Sequence, residues 1–341
     1  MEQKTAGGRT MFFKLLCLFV VFLLALGIVI HVRRNARNSD LSIPLDPAQT
    51  SLRQRLSQHV NFLAATVGER HLGKPEKLAA AAEYIRSQLA ATGLPVHRES
   101  YTVMGQSVAN YWVQWEGNES SGKTLVVGAH YDTVPGTPGA NDNGSGIAAL
   151  LEISRAFQTL APAIDLRLVA FVNEEPPYFQ TESMGSLHHA RWTSQQGDEI
   201  IGMVTLETIG YYSITRGSQD YPVPGMRLYY PSAGNFVAFV GNFNSFSLLR
   251  SGLSAFRKSS HFPAEGLVAP ETLPGIGWSD HWSFWQQGYP AIMITDTALY
   301  RYPHYHLAGD RPEQLDMDSY TKVVDGVIGM LETLTAVTSQ E

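Results

Sequence analysis

The sequence has almost no cysteine, and the one it has, Cys17, lies inside an apolar run near the amino end. That scarcity excludes a disulfide in the rest of the chain and removes cysteine as a nucleophile. Charge is scarce too: 16% of residues are Asp, Glu, Lys or Arg, against roughly 25% in average globular chains. The net charge of -6 has no long run of one sign behind it, which argues against nucleic acid as a partner. No G-x-S-x-G elbow occurs, because "NGSGI" lacks its first glycine in register, and no H-E-x-x-H helix is present. Internal repeats and low-complexity tracts are absent as well. What the chain does have is apolar mass, with 44% hydrophobic residues, 15 Tyr and 15 Phe in 341 residues, enough for a sizeable core.

The most unusual segment is "MFFKLLCLFVVFLLALGIVIHVRR". Leu15 to Ile30 is unbroken apolar sequence, and Met11 to Phe13 extend it if Lys14 snorkels outward. The run reaches the ~20 residues that cross a bilayer, and no small-x-small cleavage site follows it. The expectation is a short segment 1–14, an uncleaved single-pass anchor at 15–32, a polar, proline-broken linker at 33–45 and one domain at 46–337. Lys4, Arg9 and Lys14 on one side balance Arg33, Arg34 and Arg37 on the other, so charge does not set the orientation. An extracytoplasmic, periplasmic domain is expected by analogy with single-pass anchored proteins in general, and not from the charges. Asn118-Glu119-Ser120 fits a glycosylation pattern of low specificity.

Two stretches, "AQTSLRQRLSQHVNFLAATVG" and "KPEKLAAAAEYIRSQLAATG", have helical spacing and end at a glycine suited to a cap. "SVANYWVQWEG" alternates like a half-buried strand, while "TLVVGAH", "IDLRLVAFVNEE", "IGMVTLETIG" and "PAIMITDTA" are short apolar runs typical of strands buried on both faces. Helical patterns fall at Gly146 to Phe157, Met184 to Trp192, Asn235 to Leu249 and Met317 to Leu334. Such alternation predicts an α/β three-layer sandwich with a mixed, centrally parallel sheet flanked by helices, preceded by one transmembrane helix. The stretch from Gly217 to Gly277, rich in Pro, Gly and aromatics, reads in part as a lid or pocket-building excursion.

Polar chemistry gathers where these strands stop. His130 and Asp132 follow "LVVGA", Glu174 and Glu175 follow "RLVAFVN", Glu207 ends "GMVTL", and His304 and His306 lie a loop beyond "AIMIT". Asp142 joins them from the turn after the first of these strands. In open α/β sheets ligands bind beyond the carboxyl ends of the strands. His and carboxylate donors without cysteine suit zinc or a similar divalent ion in an open catalytic site, and the set is large enough for two ions sharing a carboxylate. Each residue has a bland alternative: a hydrogen-bonded loop histidine, a helix N-cap for Asp142, a solvated pair for Glu174-Glu175.

At these residues the sequence resembles the co-catalytic di-zinc aminopeptidases, relatives of the glutamate carboxypeptidases and glutaminyl cyclases. The resemblance covers roughly Leu52 to Leu334 and rests on "GAHYDTV", "GANDNGSG", "NEEPPYFQTESMGS", "LETIGYY" and "PHYHLAGDRPEQLD", in that order, with "SDHWSFWQQGYPAIMITDT" leading into the last. It implies two Zn2+ per chain, with His130, Asp142 and Glu207 on one ion, Glu175 and His306 completing the second, and Asp142 bridging. Glu174 matches the family's general base, which takes a proton from metal-activated water and passes it to the leaving amine. Asp132 matches the acid that orients His130. The resemblance also implies a cis peptide at Asp142-Asn143, and it selects His306 over His304, although "HLAGDRPEQLD" lacks the family's usual Thr-Pro and the Thr after Asp310. Asp280 is placed behind the ligands, His281 is read as structural, and the His188-His189 pair, on a helical pattern, as not catalytic. Trp278, Tyr300, Tyr302 and Tyr305 are candidates for an apolar substrate pocket.

The implied activity is a membrane-anchored aminopeptidase acting on peptides with a free N-terminus. Alternatives are a one-zinc glutaminyl cyclase, which has less need for both His130 and Glu207, and a carboxypeptidase for acidic dipeptides. The latter would need basic groups at the pocket, for which Arg216, Arg257, Lys258 and Arg301 are available. A binding module that has lost its ligands does not fit a chain in which all are present. The oligomeric state is not legible.

Overall fold

The computed structural model describes Lys14, residues 43–119 and residues 121–336. The expected anchor at 15–32, most of the linker at 33–45 and Ser120 of the glycosylation pattern lie outside the described residues. Among the described residues, no helix is long and apolar enough to cross a membrane.

Local signals set the first elements. Asp46 caps α1 (Pro47–Val60) in a reciprocal box with Gln49, and Pro47 pre-sets the first turn. The chain continues through a π-helical turn, Asn61–Val67, and stops at Gly68, whose φ of 76° suits glycine. After α2 (Pro75–Ala90) come β1 (His97–Val103) and β2 (Gln106–Trp115), joined by Met104 and Gly105, both at positive φ. That is the hairpin turn whose twist matches its strands.

The remaining elements alternate: β3 (Lys123–His130), α3 (Gly144–Ala156), β4 (Asp165–Phe171), α4 (Gly185–Gln196), β5 (Glu199–Glu207), β6 (Val237–Gly241), α5 (Phe246–Ser259), β7 (Ala264–Val268), α6 (His281–Trp285), β8 (Ala291–Thr295) and α7 (Met317–Thr335). They build one sheet of 8 strands in the order β1-β2-β4-β3-β5-β8-β6-β7. Its centre, β4-β3-β5-β8, is parallel; β2 joins β4 and β6 joins β8 in antiparallel fashion. Along β3, Leu125, Val127 and Ala129 face one apolar layer under α1, α2, α3, α5 and α7. Val126 faces the other, with Phe171, Met203 and Phe284, under α4 and α6. The expected sandwich with a mixed sheet is therefore the architecture seen.

One expectation fails for a physical reason. The helix expected over Asn235 to Leu249 is instead β6 followed by α5. Its apolar run fits either period, and the boundary is Asn242, whose side chain accepts from Ser245 N. The excursion from Gly217 to Gly277 does supply pocket walls, and it also contains β6, α5 and β7, which extend the sheet.

The His188-His189 pair joins two elements through one carboxylate. Glu99 on β1 accepts from Nδ1 of His188 at 2.6 Å, from Nδ1 of His189 at 2.7 Å and from Asn110 at 3.3 Å, tying α4 to the hairpin. Burial pushes the Glu99 carboxyl up, yet these bonds outweigh it and bring it from 4.5 down to about 2. A depressed carboxylate stabilises the fold above its unfolded value and loses that contribution as pH falls through the folded one. Glu99→Gln is therefore expected to cost about 1–3 kcal/mol at pH 7. The gap to the unchanged chain should narrow between pH 4.5 and pH 2. Urea unfolding at stepped pH measures it, and a gap independent of pH contradicts the assignment.

Candidate metal centre

The site lies where the parallel strands end and the chain order reverses on either side of β3. β3 delivers His130 and then Asp132; Asp142 stands just ahead of α3. β4 leads through Asn173 to Glu174 and Glu175, β5 ends in Glu207, and the loop after β8 brings His306. His130, Asp132, Asp142, Glu174, Glu175 and Glu207 are all buried. Asn173, Thr208 and His306 have φ of 59°, 43° and 58°, a left-handed conformation that costs non-glycine residues energy and gathers at functional sites. The Asp142-Asn143 peptide is cis, as the resemblance implies.

Ligand-type atoms converge in overlapping triads, His130 with Asp142 and Glu207, and Asp142 with Glu175 and His306; a further triad joins His130, Glu174 and Glu175. His130 Nε2 lies 3.3 Å from Asp142 Oδ1 and 3.2 Å from Glu207 Oε2. His306 Nε2 lies 3.0 Å from Asp142 Oδ2 and 3.2 Å from Glu175 Oε2. Despite those distances, His130 Nε2, Asp142 Oδ2, Glu175 Oε1 and His306 Nε2 have no hydrogen-bond partner. Donor-type atoms gathered this closely without hydrogen bonds to one another suit a cation site; buried polar atoms are otherwise satisfied. The donor set fits a divalent metal with N and O ligands.

Electrostatics agree. Burial drives the Glu174 carboxyl well above its ordinary range, His130 opposing and Glu175 and Glu207 adding to the rise. Glu175 is pushed up to about 8, first by burial and then by Asp142. Burial works against a charged His306, but the adjoining carboxylates of Asp142 and Glu175 outweigh it and carry it to about 10. Such a crowd of carboxylates calls for positive charge.

Asp132 sits 3.6 Å from His130 Nδ1, and its two oxygens accept the backbone N–H groups of Glu174 and Glu175, each at 3.1 Å. Its chief contacts therefore hold the Glu174-Glu175 turn. His304 packs edge-on against Tyr302 and stays outside the triads. His281 is buried, with Nε2 at 2.7 Å from the Ile276 carbonyl. Asp280 is fully buried, and burial pushes its carboxyl up to about 7. Trp278, Tyr300 and Tyr305 line an apolar pocket that reaches Glu207, with Phe236, Met226 and Tyr230 on its walls. Tyr302 is not in that wall: it is buried and donates to Asp310 Oδ1 at 2.9 Å.

Three supporting residues escaped the sequence reading. Ser279 Oγ donates to Glu207 Oε2 at 2.7 Å. Asn143 Oδ1 accepts from Thr208 N at 3.2 Å. Asp310 accepts from Asn141 N at 2.8 Å and Asp142 N at 3.0 Å, tying the His306 loop to the Asp142 turn. "SDHW" and "AGDR" contain two of them, but short-range pattern does not say what they reach.

Comparison with known proteins agrees with this geometry. Residues 110–331 match the model of Peptidase family M28. The chain is 37% identical over 298 residues to the uncharacterized protein YfbL of Escherichia coli (strain K12), covering 85% of this chain and 90% of that protein. It is 26% identical over 248 residues to leucine aminopeptidase 1 of Fusarium vanettenii, covering 68% of this chain but 58% of that one. Among solved structures, the zinc aminopeptidase BSAP from Bacillus subtilis superposes with a TM-score of 0.68 at 15% identity, over 85% of this chain and 96% of that chain. Fimbriiglobus ruber glutaminyl cyclase does so with a TM-score of 0.61 at 20% identity, over 87% and 98%; at these identities the likeness is one of fold. With the family model spanning most of the folded chain and the metal-type triads at its strand ends, this chain belongs to peptidase family M28.

Proposed function

We propose that this chain is a zinc-dependent aminopeptidase that holds two Zn2+ ions. In this reading His130, Asp142 and Glu207 hold one ion, and Glu175 and His306 complete the second with Asp142 shared. The observation that carries it is the pair of triads meeting at Asp142, each with donor atoms left without hydrogen bonds. Zinc there would lower the pKa of water and polarise the scissile carbonyl.

The chain's own groups supply the rest. Glu174, with Oε2 at 3.8 Å from His130 Nε2, is the general base: it takes the proton of the attacking water and delivers it to the departing amine. Asp132 fixes Glu174 through its backbone N–H and faces the His130 ring. The adjoining pocket, apolar with Asp220 and Glu265 among its lining, receives the N-terminal side chain. Neither Lys nor Arg lines it, so Arg216, Arg257, Lys258 and Arg301 do not supply the basic subsite that a carboxypeptidase for acidic dipeptides needs. Both triads being complete favours two ions over the one of a glutaminyl cyclase. We further propose that residues 15–32 anchor the domain to a membrane on its extracytoplasmic side.

Glu174→Gln is expected to lower kcat on a leucine anilide by about 10²–10⁴-fold while bound zinc, read by elemental analysis, stays unchanged. Near-normal turnover would remove Glu174 from the role. A peptide with a free amine should be shortened stepwise from that end, its N-acetylated twin left intact, and chelator should stop the reaction until zinc is restored. Loss from the other end, or only cyclisation of an N-terminal Gln, refutes the aminopeptidase reading and leaves the metal site standing. The full chain expressed in a bacterium should sediment with membranes and be cut by protease added to spheroplasts; recovery in the soluble fraction counts against the anchor.

A further inference from the structure

Beneath the loop that carries Asp132 and Asp142 lies Arg70, 0% exposed. Its Nε donates to the Tyr131 carbonyl at 2.6 Å, and its Nη2 to the Gly139 carbonyl at 2.9 Å. Nη1 donates to Pro138 O at 2.7 Å, Gly68 O at 3.3 Å and Leu63 O at 3.4 Å. The main chain adds a second clasp, Arg70 N to Thr133 Oγ1 at 3.1 Å and Thr133 N to Arg70 O at 2.9 Å.

All of these acceptors are neutral. A buried guanidinium is normally paired with a carboxylate, whereas here the charges that favour it act through space, from Asp310, Asp132, Asp142 and Glu175. Two of those are ligand candidates, one is the acid facing His130, and Asp310 holds the backbone of Asp142. The seat is also closed: Gly139 has φ +70°, and a Cβ there would stand 2.9 Å from Arg70 Nη1 and 2.3 Å from Thr133 Cγ2. The carbonyl of Tyr131 immediately precedes Asp132, and those of Pro138 and Gly139 precede Asp142 by a short turn. One planar fork therefore spans both arms of the loop and anchors them to the end of the π-helical turn. A lysine, with three donors on a single point, cannot span them.

We propose that Arg70 is the positioning residue of the metal centre, setting the separation of Asp132 and Asp142. This rests on the two-zinc reading given above. The competing role is that of a core staple, which would affect the stability of the domain and nothing at the site.

The test uses the full chain and zinc alone as the probe. Zinc affinity is measured by competition with a chromophoric chelator for the unchanged chain and Arg70→Lys, alongside urea unfolding in chelator. Arg70→Lys is expected to bind zinc roughly 10–100-fold more weakly, the scale found for groups that orient ligands. At saturating zinc, kcat should still be reduced and KM little changed. Equal zinc affinity and equal kcat, with only the unfolding midpoint lowered, makes Arg70 a staple and overturns the proposal. If the unchanged chain itself binds no zinc, the metal reading fails and this proposal with it. Should Arg70→Lys not fold, Thr133→Val, which removes one clasp and keeps the volume, takes its place: weaker zinc binding supports the proposal and unchanged binding overturns it.

Discussion

Carboxylates that repel one another are forced together at the strand ends, and much of the surrounding structure answers that constraint. Asp132, Asp142, Glu174, Glu175, Glu207, Asp280, Asp296 and Asp310 are all buried in one region. Several are quenched by the protein's own donors. Asp296 accepts from Asn141 Nδ2, Tyr211 N and Ala298 N, at 2.8, 2.8 and 2.9 Å. Asp310 takes two backbone N–H groups and the Tyr302 hydroxyl, and Asp132 takes two backbone N–H groups. The inner acids differ, because Asp142 Oδ2 and Glu175 Oε1 are left without a donor. Hydrogen-bond saturation thus sets Asp132, Asp296 and Asp310, which hold the backbone, apart from Asp142 and Glu175; Glu207, which takes the Ser279 hydroxyl, and Asp280, whose two oxygens also lack a partner, do not follow that division.

The topology makes that arrangement attainable. Parallel strands β4, β3 and β5 lie side by side and stop at one edge, so residues far apart in sequence, His130, Glu175 and Glu207, meet without any long reach. Close packing helps: at Gly128 a Cβ would stand 2.2 Å from the Phe171 ring, so the strand bearing His130 approaches its neighbour's aromatic as only glycine permits. Rigid strands fix the first halves of the site; the His306 loop, attached through Asp310, closes it.

Most of the fold was legible because the central strands are short, doubly buried apolar runs with glycine or polar stops. β1 was not, since the alternating burial of "HRESYTV" puts Glu99 on the same face as Tyr101 and Val103, so residue type does not reveal the period. β6 was misread because five buried residues carry no period of their own. At the site, His130, Asp142, Glu174, Glu175, Glu207 and His306 announce themselves through residue type at strand ends, and the family resemblance sorts them. Arg70 and Ser279 do not, since an arginine after a helix and a serine before "DHW" look like surface residues until the tertiary contacts are known. Tyr302 misled in the opposite direction: an aromatic among aromatics reads as pocket, and its hydroxyl serves Asp310 instead.

The pocket beside the triads draws its walls mainly from residues 219–240, 265–267 and 274–278, whereas most of the metal-type donors come from β3, β4, β5 and their loops. Glu207 and Tyr305 are where the two units touch. Side chains with no shared partner combine additively in free energy. Under the proposed function, choice of substrate and chemistry would therefore draw on largely separate stretches of the chain, joined at Glu207.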